Sequence, residues 1–388
     1  TDHPREPTPM KIHEYQAKEL LAAAGANVPK HVVCKTPDEA AAEVEYRRAT
    51  VSPRRRLLQR FSVFDGGIRF LVDLRAEMLP FLKTDRRLQA LDVEMEYMFS
   101  TWFDVGFLDL RRITWDSPAS LIEKLIKYEA VHDIRSWADA KNRLDADRRC
   151  YGFFHPRLPD EPLIFVEVAF TTAMADSITP LLDEEAPPAD PARCSTAVFY
   201  SISNAQPGLR GVSFGDSLIK RVVDTLKAEL PRLKVFSTLS PIPGLRSWLT
   251  EQAPTLLERT APKQRAELAR ALKPAPLGAE SVLAALEDPA ALDASSPLRQ
   301  WLMQCGAVYL GREMADGKPR DAVARFHLGN GARVERINWA ADLSAKGQRQ
   351  SLGLMVNYLY DLRRLDRHRS QLAQGRIPVS SAVEALLF

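Results

Sequence analysis

The 388-residue chain carries 53 basic against 50 acidic residues, and 45% of it is hydrophobic. Charge so nearly balanced gives no footing for a nucleic-acid binder, while the length suffices for a sizeable core and two domains. The four cysteines (Cys34, Cys150, Cys194 and Cys305) are far apart with no CxxC pair, which argues against structural zinc and fits a reducing compartment with buried thiols.

Residues 1–9 are polar and proline-rich and are expected to be disordered. From Met10, MKIHEYQAKELLAAAGANVPKHVVCKTPDEA predicts a helix over 14–24 closed by Gly25, a short strand at 31–34 and a helix start at 36–39. The basic run at 47–56 has no interleaved aromatics and reads as a solvated helix start or partner surface rather than an RNA platform. Helical spacing then recurs in Leu57, Leu58 and Phe61, in Phe70, Leu71, Leu74 and Met78, and in Leu88, Leu91, Met95 and Met98, with Gly66 and Gly67 between the first two runs. These residues predict a small all-helical domain.

Beyond residue 106 strands and helices mix. Residues 108–115 read as a strand, Ser117 and Pro118 as the start of a helix lined by Leu121, Ile122, Leu125 and Ile126, and 137–144 as a second helix. Strands are expected at 150–154, 163–169 and 198–202, with an acidic, proline-rich loop at 182–191. The turn-forming SNAQPGLRG leads into a loop, Arg210-Gly211-Val212-Ser213-Phe214-Gly215-Asp216, and then into a helix striped by Leu218, Ile219, Val222, Val223 and Leu226. A strand at 234–239 ends in Ser240-Pro241-Ile242-Pro243-Gly244. Residues 250–309 read as Ala/Leu-rich helices broken at Pro262, Pro274, Pro276 and Pro289, expected to lie over the site. Residues 322–339 read as a β-hairpin turning at Gly329, Asn330 and Gly331, and 353–365 as a helix. By pattern alone the class is α+β.

Backbone N–H groups at a helix N-terminus form an anion site, Gly211 and Gly215 admit close backbone approach, and Arg210 adds a charge. The loop therefore suits a pyrophosphate, although the glycines alone also fit an ordinary strand-to-helix turn.

R-G-x-x-x-G between a strand and a helix resembles the coenzyme A pyrophosphate loop of the GNAT-type N-acetyltransferase fold. The runs ITWDSPASLIEKLIKYEAVH, DRRCYGFFHP, LPDEPLIFVEVAFT, FYSISN…GLRGVSFGDSLIKRVV…FSTLSPIPG, FHLGNGA, RINWAADLS and GLMVNYLYDL closely resemble the malonyl-CoA decarboxylase family, from about residue 46 to the end. Residues 10–42 resemble the opening of the succinate–CoA ligase β subunit, a fragment too short for a nucleotide cleft, so no ATP binding is carried over.

The resemblance implies an N-terminal extension (1–45), an all-helical domain (46–105) and a GNAT-like, CoA-binding catalytic domain (106–388). It implies conversion of malonyl-CoA to acetyl-CoA and CO2 in fatty acid metabolism, with no cofactor and no metal, since the thioester is itself the electron sink. Ser240 of SPIPG falls on the family's catalytic serine and His327 of FHLGNGA on its catalytic histidine. Ser240 is expected to position the malonyl group and His327 to donate the proton, while Arg210, Gly211, Val212, Ser213, Phe214, Gly215 and Asp216 hold the substrate's pyrophosphate. Some relatives place a Glu where Ser213 stands, so that residue's role is not transferred.

Taken singly, Ser240 also fits a turn serine and His327 a strand histidine bonded to a carbonyl. Asn338 and Tyr358 match the family and are candidates for supporting the pair, Glu167 for a polar contact in the cleft, and His155 for a loop position. Two other readings stand beside the lyase: an acyl-CoA N-acyltransferase and a non-catalytic CoA-binding module. Expected partners are malonyl-CoA and acetyl-CoA, with no nucleic acid and no membrane. The helical domain implies a homo-oligomer, and the lack of a secretory, membrane-spanning or peroxisomal signal places the chain in the cytoplasm.

Overall fold

A computed structural model describes residues 52–387 except 213 and 215–217, together with 36–39, 41, 42 and 44. The helix expected at 14–24, the strand at 31–34, Cys34, and the loop residues Ser213, Gly215 and Asp216 lie outside the described residues. Thr36 Oγ1 accepts from Glu39 N–H at 3.1 Å, the N-cap contact of the helix start predicted there. By compactness the chain divides into Thr1–Val63 and Phe64–Phe388. The first unit holds α1 (Pro53–Phe61), which opens on a proline and buries Leu58.

In the second unit, α2 (Gly67–Met78) is entered from Gly66 at φ 70° and buries Leu71, Val72 and Met78. The following helix, α3 (Arg87–Trp102), buries Met95, Met98 and Phe99. Phe70 stays half exposed. No helix among the described residues is long and apolar enough to cross a membrane.

The rest is a mixed helix-and-sheet, α+β assembly. Its elements are β1 (Asp109–Ile113), α4 (Ala119–Tyr128), α5 (Trp137–Asn142), β2 (Arg148–His155), β3 (Leu158–Thr171), β4 (Thr196–Asn204), α6 (Leu218–Glu229), β5 (Val235–Thr238) and β6 (Ser240–Pro241). There follow α7 (Leu245–Arg259), α8 (Pro262–Ala271), α9 (Ala279–Ala285), α10 (Pro297–Gly311), α11 (Ala322–Gly329), β7 (Arg333–Asn338), α12 (Ala345–Ser351), β8 (Met355–Leu359) and α13 (Leu365–Ala373). One eight-stranded sheet runs β1-β2-β3-β4-β5-β8-β6, with β7 also paired to β8. Its pairings are antiparallel except β4–β5, a parallel pair joined by the crossover helix α6. All five stripe residues of α6 are buried.

Two irregularities shape the site. The β4–β5 ladder stops at Phe199 opposite Thr238, while β4 continues to Asn204, so the two strands part. The β3–β4 register also shifts: Glu167 faces Ser201 and Val168 faces Phe199, leaving Tyr200 as an extra residue that bends β4.

Two expectations are corrected. Residues 322–339 form helix α11 and strand β7, not a hairpin. Asp321 Oδ1 accepts from the N–H groups of Val323 and Ala324 at 2.9 Å each, an N-cap that commits the chain to a helix burying Ala324, His327 and Leu328. The Asn-Gly pair is the helix exit, with Gly331 at φ 87° where a Cβ would sit 2.9 Å from the Leu365 carbonyl oxygen. Residues 353–365 contain strand β8, not a helix. A short strand buried on both faces shows no alternation by which to tell it from a helix. Pro262 also opens α8 rather than breaking a helix, and Pro254 lies inside α7.

Candidate active site

Ser240 begins β6, where pairing with Val356 of β8 fixes its backbone. Its Oγ donates to Thr238 Oγ1 at 2.9 Å and lies 3.2 Å from His327 Nε2. The second ring nitrogen, Nδ1, is 2.7 Å from the Tyr360 hydroxyl, and the ring stacks on Tyr358 at 4.7 Å between centroids. Thr238 Oγ1 in turn accepts from the Tyr358 backbone N–H at 3.0 Å.

This network fixes a tautomer. With Ser240's hydroxyl proton committed to Thr238, the ring donates Nε2–H to Ser240 and accepts the Tyr360 O–H at Nδ1. Burial pushes the His327 pKa down to about 3, so the ring is neutral across the physiological range. The same burial raises the Tyr360 and Tyr358 phenols well above the usual range, keeping both protonated.

Ser240 and His327 open onto a cavity of about 290 Å³. Phe199 lines it where the β4–β5 ladder ends, Tyr200, Ile202 and Asn204 from the part of β4 that β5 leaves behind, Val212 and Phe214 from the glycine loop, and Ala322, Val323 and Phe326 from the α11 side. Among the described residues no Lys or Arg lines it. Arg210 is exposed, and Gly211 turns the loop at φ 82°. The helices at 245–285 supply none of the described lining residues, contrary to the expectation that they lie over the site. A larger cavity of about 610 Å³, lined by Arg135, Asp139, Lys346 and Arg349 among others, contains neither catalytic candidate.

Of the other candidates, Tyr358 supports the histidine ring from below. Asn338 Nδ2 donates to Asn357 Oδ1 at 2.9 Å, and Asn357 Nδ2 donates to the Thr238 carbonyl at 2.7 Å, so Asn338 acts behind the strand and does not line the cavity. Glu167 is not a cleft residue: it is fully buried, with Oε2 at 3.1 Å from Arg143 Nη1. Burial, and then the Glu129 carboxylate, push its pKa up to about 8. His155 ends β2 with its ring edge against Phe103 and is no loop residue. Tyr360 and Thr238 were missed by sequence reasoning. Their signal is period two: Tyr360 follows Tyr358, and Thr238 precedes Ser240, by the spacing that puts strand side chains on one face.

The malonyl-CoA decarboxylase C-terminal domain profile matches residues 106–388, and the N-terminal domain profile of the same family matches 26–103. The latter reaches back into the stretch that resembles the ligase. The mitochondrial malonyl-CoA decarboxylase of Anser anser anser is 39% identical over 81% of this chain, and that of Rattus norvegicus 40% over 83%. The chain spans 65% and 68%, respectively, of those two proteins. The crystal structure of malonyl-CoA decarboxylase from Cupriavidus metallidurans is 48% identical with a TM-score of 0.77, covering 86% of this chain and 82% of its own. That from Agrobacterium vitis is 41% identical with a TM-score of 0.79, covering 97% and 87%. Both domain profiles match in order and the likeness extends over most of the chain, so the chain belongs to the malonyl-CoA decarboxylase family.

Proposed function

We propose that the protein is a carboxy-lyase that converts malonyl-CoA to acetyl-CoA and CO2, with Ser240 and His327 as its catalytic residues. The observation that carries this reading is the buried Ser240–His327 pair, 3.2 Å apart, in a mostly apolar cavity shared with the glycine loop. Arg210, Gly211, Val212 and Phe214 hold the coenzyme A pyrophosphate end near the start of α6. The edge of β4 beyond Phe199 offers main-chain groups to the pantetheine amides, as a sheet edge does to an added strand. A parallel strand pair that parts beside a helix crossover supports the GNAT-like arrangement of residues 106–388.

The chemistry follows from the lining. The malonyl carboxylate gives up water and finds no Lys or Arg among the described lining residues, so its departure as neutral CO2 is favoured. The C–C bonding pair moves into the thioester, forming an enolate, while Ser240, its O–H turned from Thr238 to the substrate, donates to the malonyl group and positions it. His327 transfers its Nε2 proton to the α-carbon, and the charge left on the ring is met at Nδ1 by the Tyr360 O–H. Each turnover consumes one proton, which returns to His327 from solvent.

Exposed Phe81 and Val93, beside α2 and on α3, support self-association through the helical segment (46–105). We place the chain in the cytoplasm.

The direct test supplies malonyl-CoA with no acyl acceptor and follows acetyl-CoA and CO2; if neither forms, the lyase reading fails. Ser240→Ala and His327→Asn should each lower kcat by roughly 10²- to 10⁴-fold with a much smaller change in coenzyme A affinity.

A further inference from the structure

We propose that Arg75, on helix α2, is the positioning residue that orients the Gly208 to Gly211 turn, the entrance of the phosphate loop, for an anion. This makes the helical segment part of the coenzyme A site. The inference rests on reading that loop as the coenzyme A phosphate site.

Arg75 is 2% exposed, although it lies 135 positions from the loop in sequence. Its Nη1 donates to the Gly208 carbonyl at 2.7 Å and to the Arg210 carbonyl at 2.9 Å. Its Nε donates to Asp92 Oδ1 on α3 at 2.7 Å, which fixes the plane of the fork. The helix is pressed against the loop at the same place: a Cβ on Gly208 would lie 1.9 Å from the Val72 carbonyl oxygen. Arg69, one turn and a half earlier on α2, donates to Gln206 Oε1 at 3.1 Å. Beyond the turn, the Phe214 carbonyl accepts from Val105 N–H at 2.9 Å.

The consequence follows from peptide planarity. In a trans peptide the C=O and the next N–H point in opposite directions. With the Arg210 carbonyl drawn toward Arg75, the Gly211 N–H points away from α2, and among the described residues it donates to none. The Gly208 and Phe214 carbonyls are likewise turned into the scaffold. A loop left to itself presents oxygens and N–H groups to its ligand alike. Here a guanidinium takes the Gly208 and Arg210 oxygens from behind, leaving the other face of that turn poorer in negative ends. A phosphate gains from that arrangement, whereas the uncharged pantetheine arm gains nothing from it.

The test is a change of discrimination rather than of stability. Arg75→Lys keeps the charge but not the two-pronged fork. The full-length variant is titrated with coenzyme A and with pantetheine, and assayed with malonyl-CoA and malonyl-pantetheine. Coenzyme A affinity should fall about tenfold, the rise for malonyl-CoA should appear in KM rather than kcat, and the preference for malonyl-CoA over malonyl-pantetheine should shrink by the same factor. Equal losses with both substrates would mark Arg75 as a general structural clamp and overturn the inference, as would no change with either. If Arg75→Lys does not fold, Gly208→Ala disturbs the same junction from the loop side and is read with the same pairs. A wild-type chain that shows this graded coenzyme A binding but releases no CO2 would sink the lyase reading alone.

Discussion

His327 carries no charge at neutral pH. A histidine sunk to 3% exposure and pushed to about 3 is no reservoir of imidazolium at neutral pH; it is a neutral N–H held in one tautomer by its partners. Tyr360 is the partner that sets the tautomer, so its hydroxyl should count for more than its ring. Tyr360→Phe leaves a buried Nδ1 unsatisfied at about 1–3 kcal/mol. Steady-state kinetics should show kcat roughly ten- to a hundredfold lower, with KM little changed. The motifs pointed to Ser240 and His327, and the fold brings the two side chains to 3.2 Å. Tyr360 was not legible, because reading residues 353–365 as a helix puts Tyr358 and Tyr360 on different faces, whereas extended chain brings Tyr358 under the ring's face and the Tyr360 hydroxyl to its Nδ1 edge.

At the scale of elements, α11 shows where pattern runs out. Its Asn-Gly exit looks like a hairpin turn, and what overrides that reading is a single cap. Asp321 receives two backbone N–H groups and is itself buried, with the Tyr309 hydroxyl 3.5 Å away. Asp321→Ala should cost about 1–2 kcal/mol, a drop of a few degrees in melting temperature, and should lower kcat because the helix carries His327. Asp321→Asn, which can still cap, should recover most of the loss; thermal unfolding and turnover measured together check this. The helices α2, α3 and α6 were legible because each keeps one apolar stripe. Strand β8 was not, because it is buried on both faces and its neighbours β5, β6 and β7 come from two distant parts of the chain.

For the molecule as a whole, the described histidines point one way. Burial lowers the pKa of His132 to about 4 and of His327 to about 3, and lowers those of His155 and His368 as well. Unfolded histidines take up protons near pH 6.5, so below that pH the unfolded chain binds more protons than the folded one and stability falls. Glu167, raised to about 8, acts in the opposite sense: its contribution is lost as pH rises toward 8. Asp321, raised by burial, acts in the same sense as Glu167. With four histidines against these two carboxyls, the melting temperature should decline from about pH 6.5 to pH 5, and a His132→Asn/His327→Asn variant should show a flatter decline by calorimetry. The placement of β8 also bears on how the chain comes off the ribosome. Ser240 is pinned by Val356, and the β5 end beside it by Leu359, so residues made early wait for a strand made more than a hundred positions later. Contacts that distant close slowly. Until the chain has emerged past residue 360 the growing polypeptide has Ser240 but neither the strand that seats it nor the tyrosine that contacts His327, so the pair is assembled late in synthesis.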